Sequence, residues 1–185
     1  MPIRQITVFG TGLIGGSFAL ALKKHGFHGW IVGCDRAAEV QRAQDRGVVD
    51  EVRTNPADAI RNSDLIVLAT PVGTILEMID HLGPALPPHA LLTDVGSTKV
   101  EVLKHASSVF GENVTRRFLG GHPMAGKEHS GIDFAEPDLF EGAAWFLTPA
   151  LGQNVNEGLC VEFVSWLQKI GARVTEIDAE SHDEL

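Results

Sequence analysis

Two kinds of apolar spacing alternate along this chain. Stretches of strand length at 118–122, 144–148 and 173–177 mix apolar with polar or glycine residues, while short, nearly unbroken apolar runs fall at residues 6–9, 30–34, 65–69 and 90–94. Runs of this length, rich in Val, Ile and Leu, predict strands covered on both faces. A shorter strand is expected around Glu51, Val52 and Arg53. Between the runs the spacing becomes i, i+3, i+4, i+7, the period of a helix with one buried face. Ile75, Met78, Ile79 and Leu82 make one such stripe; Cys160, Phe163, Val164 and Leu167 make another. Gly47 is placed to end a helix over 39–46, Gly171 to end the last one, and Asn55 before Pro56 reads as a helix cap. Thr74 with Glu77, Thr98 with Glu101, and Asn154 with Glu157 have the spacing of capping boxes. Strands alternating with helices predict an α/β fold, doubly wound, with a mainly parallel sheet, helices on both faces and right-handed crossovers.

The first strand runs directly into Gly10, Gly12 and Gly15, spaced G-x-G-x-x-G, and a helix of small residues follows at once. The first glycine permits a tight turn, the second lets backbone approach a pyrophosphate, and the third lets helix pack on sheet. With Leu13 and Ile14 they place unpaired N–H groups and the positive end of a helix dipole against phosphates. The second strand ends in Asp35, twenty residues after Gly15, where an acid on the cofactor ribose belongs. The expected fold is therefore of Rossmann type. A carboxylate at position 35 favours NAD over the 2′-phosphorylated NADP, while Arg36 could stack on adenine or meet a 2′-phosphate; NAD is the expected cofactor.

Composition narrows the alternatives. The 185 residues carry 15 basic and 24 acidic side chains, a net charge of −9 with no basic stripe, which excludes nucleic acid as a partner. The chain opens on a strand, with no leader and no long apolar span, so a cytoplasmic protein without membrane contact is expected. Cys34 and Cys160 fall inside predicted elements and read as small buried hydrophobes. The terminal His182, Asp183, Glu184 and Leu185 spell a retention signal, here taken as coincidence for want of a signal peptide.

Ligands of open α/β sheets bind beyond the carboxyl ends of the strands. Those ends hold the glycine turn, Asp35 and Arg36, Thr70 and Pro71, residues 94–99, and residues 120–131. His122 stands between two glycines and Pro123 and is the side chain best suited to acid–base work there. Ser97 is either its orienting partner or, like Thr98, a helix cap. His122, Glu128, His129 and His182 match no metal-ligand spacing, so no metal is expected.

Residues 10–17, 94–99 and 120–126, together with Glu128 to Gly131, Leu147 to Pro149 and the closing His182 and Asp183, resemble the prephenate/arogenate dehydrogenases of tyrosine biosynthesis. The resemblance implies a dinucleotide-binding domain over 1–177, with 178–185 beginning a connection to a helical second domain that dimerises and completes the substrate site. It implies His122 as the histidine that accepts the substrate hydroxyl proton while hydride leaves for NAD, and Ser97 as its hydrogen-bonding companion. It also implies Lys99 and Glu128 as substrate contacts and prephenate or arogenate as substrate. A neutral His122 predicts activity falling as pH drops through about 6.5. A substrate-carboxylate arginine belongs to the family's second domain, so binding of cofactor without turnover, or a nucleotide-sensing role, is the alternative expectation.

Overall fold

A computed structural model describes residues 2–185. Eight strands form one sheet: β1 (Gln5–Phe9), β2 (Trp30–Cys34), β3 (Glu51–Arg53), β4 (Leu65–Leu68), β5 (Leu91–Asp94), β6 (Phe118–Pro123), β7 (Ala144–Thr148) and β8 (Arg173–Glu176). Their order is β3-β2-β1-β4-β5-β6-β7-β8. The first six strands are parallel, as the apolar runs predict. At β7 the chain reverses: it pairs antiparallel with β6, and β8 lies parallel to β7. The α-helices among the described residues are α1 (Leu13–Lys24), α2 (Ala37–Asp45), α3 (Pro56–Ala59), α4 (Val72–Leu82), α5 (Val100–Phe110), α6 (Val114–Arg117), α7 (Gly158–Lys169) and α8 (Ala179–Asp183). Among the described residues no helix is long and apolar enough to cross a membrane.

The pleat divides the core into two layers, because successive side chains of a strand point to opposite faces. Ile6, Val8, Leu65 and Val67 join Phe18 and Leu22 of α1 and Phe163 and Leu167 of α7 on one face. Phe9, Ile66 and Leu68 join Ile75, Ile79 and Leu82 of α4 and Val102 and Ala106 of α5 on the other. Each such fully buried Leu, Ile or Phe contributes about 1.5–3 kcal/mol relative to exposure. Trp145 pins the reversed strand: its ring lies 5.0 Å from Phe140, 5.9 Å from Phe18 and 6.4 Å from Phe163. Both cysteines are free and buried, and burial, with the charge of Asp35 beside it, pushes the Cys34 thiol up to about 12.

Several helix starts differ from the capping signals. Asn55 does cap α3, its Oδ1 accepting from Ala57 N at 3.0 Å and Asp58 N at 3.4 Å. In contrast, α4 begins at Val72 behind Pro71, so Thr74 lies inside the first turn. The Asn154–Glu157 pair forms, at 2.7 Å, but it closes the turn before α7, which begins at Gly158. Neither Thr98 nor Ser97 caps α5. Its first amides, Lys99 N and Val100 N, donate to the carboxylate of Asp183 at 2.7 and 2.9 Å. Residues 178–185, expected to begin a connection, hold α8, which packs on α5 and β7.

Candidate active site

Two clefts meet above the amino end of α1. The larger, about 1070 Å³, is lined by Gly10, Gly12, Asp35, Arg36, Thr70 and Pro71. The smaller, about 530 Å³, is lined by Gly12, Leu13, Ile14, Thr70, Pro71, Ser97, His122 and Glu128. Gly12, Thr70, Pro71, Ser130 and Gly131 border both, so the clefts adjoin at the glycine turn.

That turn admits only glycine at two of its three positions. Gly10 has φ +84°, and a Cβ there would sit 2.3 Å from the Ala69 carbonyl oxygen; at Gly15 it would sit 2.1 Å from that of Gly10. At Gly12 a Cβ would meet nothing nearer than Gly131 Cα at 4.0 Å. The space above Gly12 is therefore a cradle that a side chain would fill, beside a helix start with no side-chain cap. Thr70 Oγ1 lies at its edge, buried and without a partner among the described residues. These features fit a dinucleotide. Asp35 Oδ2 accepts from Thr11 N at 2.8 Å and Oδ1 from Arg36 N at 2.7 Å, which fixes the carboxylate at the mouth of the larger cleft. The Arg36 side chain is 85% exposed and reaches Glu39 at 3.9 Å.

His122 lies within β6, opposite Phe146 of β7, rather than in the loop that follows. It is half-buried, and its Nδ1 is 2.9 Å from Nε2 of His182. His182 is 5% exposed, packs edge-on against Phe146 at 5.8 Å, and places Nδ1 2.8 Å from Asp183 Oδ1. Burial, then the neighbouring His182 and the charge of Lys99, hold His122 below its ordinary 6.5 against the opposing carboxylates of Asp94 and Asp183. For Asp183, burial would raise the carboxyl, but the amides of Val100 and Lys99 together with His182 outweigh it and leave it below 3.8.

The structure brings Ser97, Glu128 and His122 to one cleft, but the hydrogen bond expected between Ser97 and His122 is absent among the described residues. Lys99 requires correction. Its side chain is 0% exposed and lines neither cleft; its ammonium is paired with Asp94 and donates to the Gly121 carbonyl at 2.8 Å. A buried, paired ammonium holds β6 in place and faces neither cleft. His182, Asp183 and Asp94 went unrecognised as neighbours of His122. Adjacent His and Asp near the carboxyl terminus were the only signal, and nothing local says that they fold back across 60 residues.

A family model for "Prephenate dehydrogenase, nucleotide-binding domain" matches residues 18–176. The prephenate dehydrogenase of Bacillus subtilis (strain 168) is 37% identical over 180 residues, covering 96% of this chain and 47% of the relative. The crystal structure of prephenate dehydrogenase from A. aeolicus in complex with hydroxyphenyl propionate and NAD+ superposes with TM-score 0.86 at 32% identity, covering 99% of this chain and 63% of that one. Synechocystis arogenate dehydrogenase superposes with TM-score 0.85 at 33% identity, covering 97% and 62%. The chain thus spans about half the length of the curated relatives it matches. The glycine turn, the eight-stranded sheet and the match over 18–176 agree: the chain belongs to the prephenate dehydrogenase family, of which it contains the nucleotide-binding domain.

Proposed function

We propose that this chain is the cofactor-binding and proton-accepting part of a prephenate or arogenate dehydrogenase that uses NAD. One observation carries the reading: His122 and Gly12 line the same cleft, so a group bound across Gly12 and a substrate at His122 share one space. Asp35 takes the hydroxyls of the adenosine ribose, and its charge repels a 2′-phosphate. Gly12 and the amino end of α1 take the pyrophosphate. NAD, when bound, accepts the hydride from substrate C4. His122, held neutral by burial, accepts the proton of the 4-hydroxyl as that hydride departs, and loss of the ring carboxylate gives an aromatic product. Ser97 and Glu128 line the substrate side of the same cleft.

A second reading, cofactor binding without turnover, is favoured by the charges. Among the described residues Lys127 is the one lysine or arginine lining the catalytic cleft, and it is paired with Glu136 at 2.7 Å. The dicarboxylate substrate therefore meets no unpaired lysine or arginine there. Calorimetry with NAD and NADP on this chain, followed by an absorbance assay with prephenate and NAD, separates the readings. NAD should bind more tightly than NADP, and Asp35→Ser should narrow the difference. Preference for NADP by the unmodified chain would overturn the cofactor assignment, and NAD binding without turnover would leave the second reading.

A further inference from the structure

We infer that Asp183, His182 and His122 form a relay that fixes His122 as the Nδ1–H tautomer and leaves its Nε2 as the proton acceptor. The inference rests on the reading of His122 as acceptor given above and adds two positioning residues to it. Its logic follows from which atoms can donate. An ionised carboxylate only accepts, and Asp183 is held ionised by the Lys99 and Val100 amides that donate to Oδ1 and Oδ2. His182 Nδ1, 2.8 Å from Oδ1, must therefore carry the hydrogen of that contact. A neutral imidazole with a proton on Nδ1 has its lone pair on Nε2. That Nε2 lies 2.9 Å from Nδ1 of His122, so His122 donates, and its own lone pair falls on Nε2. His122 Nε2 has no partner among the described residues, which leaves it free for a substrate hydroxyl.

Burial gives the relay its fidelity. With His182 only 5% exposed, water competes poorly for its nitrogens, and Phe146 edge-on fixes the ring. The titratable groups around His122 are His182 and Asp183 of α8, and Lys99 and Asp94 of the buried pair. A doubly protonated His182 would donate from both nitrogens, reverse His122, and place a hydrogen where the acceptor is needed.

The test is direct observation of the tautomer. Two-bond hydrogen–nitrogen correlation spectra of the ¹⁵N-labelled chain, at about pH 8 and above the reference histidine value, report which ring nitrogen is bare. His122→Asn assigns the resonances. A protonated Nδ1 and a bare Nε2 are expected for both His122 and His182. His182→Phe keeps a ring beside Phe146 but removes the acceptor, so the His122 preference should be lost; His182→Gln, whose amide oxygen can replace Nε2 as acceptor, should restore it. In the prephenate assay His182→Phe should lower kcat about 10²-fold with NAD affinity unchanged, and His182→Gln should recover most of the loss. A hydrogen on His122 Nε2 in the unmodified chain, or an unchanged tautomer in His182→Phe, overturns the relay; if His182→Phe fails to fold, the unmodified spectrum decides. Expected tautomers in a chain that turns over no prephenate would instead overturn the dehydrogenase reading and leave the relay standing.

Discussion

Lys99 and Asp94 are joined in an ion pair from which solvent is fully excluded, each side chain being 0% exposed. Around that pair the backbone of the site is assembled. Asp94 accepts from Gly96 N at 2.8 Å and from Gly121 N at 3.2 Å, while Lys99 donates to the Gly121 carbonyl at 2.8 Å. Both ions thus converge on the residue that precedes His122, and they tie β5 to β6 there.

Breaking such a pair strands a charge in the interior, a loss of about 3–5 kcal/mol. Lys99→Met should therefore lower the free energy of unfolding by an amount of that order in urea titration. A substrate-contacting lysine would behave otherwise, leaving stability within about 0.5 kcal/mol of the parent chain. That second outcome would remove Lys99 from the core and return it to the cleft.

The case of Lys99 shows where sequence reading ends. Strands, glycine turn and Asp35 are written in local patterns, and the structure places each as expected, because a buried parallel strand or a phosphate turn leaves its own signature. A lysine five residues after a strand-end aspartate looks like a site residue until β6 covers it, and that cover comes from residues 118–123. The cap of α5 is equally remote: the local candidates were Ser97 and Thr98, yet the acceptor is Asp183, 84 residues from Lys99. Reversal of β7 had a readable cause that the strand–helix alternation masked. A parallel return normally needs a crossover helix. Between β6 and β7 there is only the short 3₁₀ turn Ile132–Phe134.

His122 supplies a prediction in which the structure shifts the simpler expectation. Its pKa is held below 6.5, so the neutral acceptor persists to lower pH than an ordinary histidine would allow. A titration of its ring resonances should show a midpoint under 6.5, and the acid limb of kcat/KM should fall at the same point. Stability follows in the same sense. The unfolded chain takes up this proton first, so the contribution is complete above 6.5 and is lost as pH falls from there towards the folded pKa. A midpoint at or above 6.5 would contradict the burial on which the neutral state depends.

The glycine turn separates folding from binding at two positions three residues apart. Gly15→Ala would force a methyl to 2.1 Å from the Gly10 carbonyl oxygen, so the variant should unfold at clearly lower urea concentration. Gly12→Ala meets only Gly131 Cα at 4.0 Å and should keep stability within about 0.5 kcal/mol. Its methyl occupies the cradle, so NAD affinity in calorimetry should weaken at least about tenfold, or about 1.4 kcal/mol. Equal NAD affinity in Gly12→Ala and the parent chain would place the pyrophosphate elsewhere.

Asp183 carries two duties that acid should separate from the rest of the molecule. It caps α5 through two amides and orients His182 through the same carboxylate. Removing both contacts with Asp183→Ala should cost about 0.5–2 kcal/mol, the range for loss of a capping side chain. Asp183→Asn keeps one acceptor oxygen and should fall between that variant and the parent. Because the folded carboxyl is held below 3.8, its charge stabilises the chain fully above that value, and the contribution is lost as pH falls through the lower, folded pKa. The stability difference between the parent chain and Asp183→Asn, followed by urea unfolding across a pH series, should be level near neutrality and shrink below 3.8. A difference that stayed constant into strong acid would show that shape rather than charge holds α8 against α5, and the anchor of the relay would then be steric.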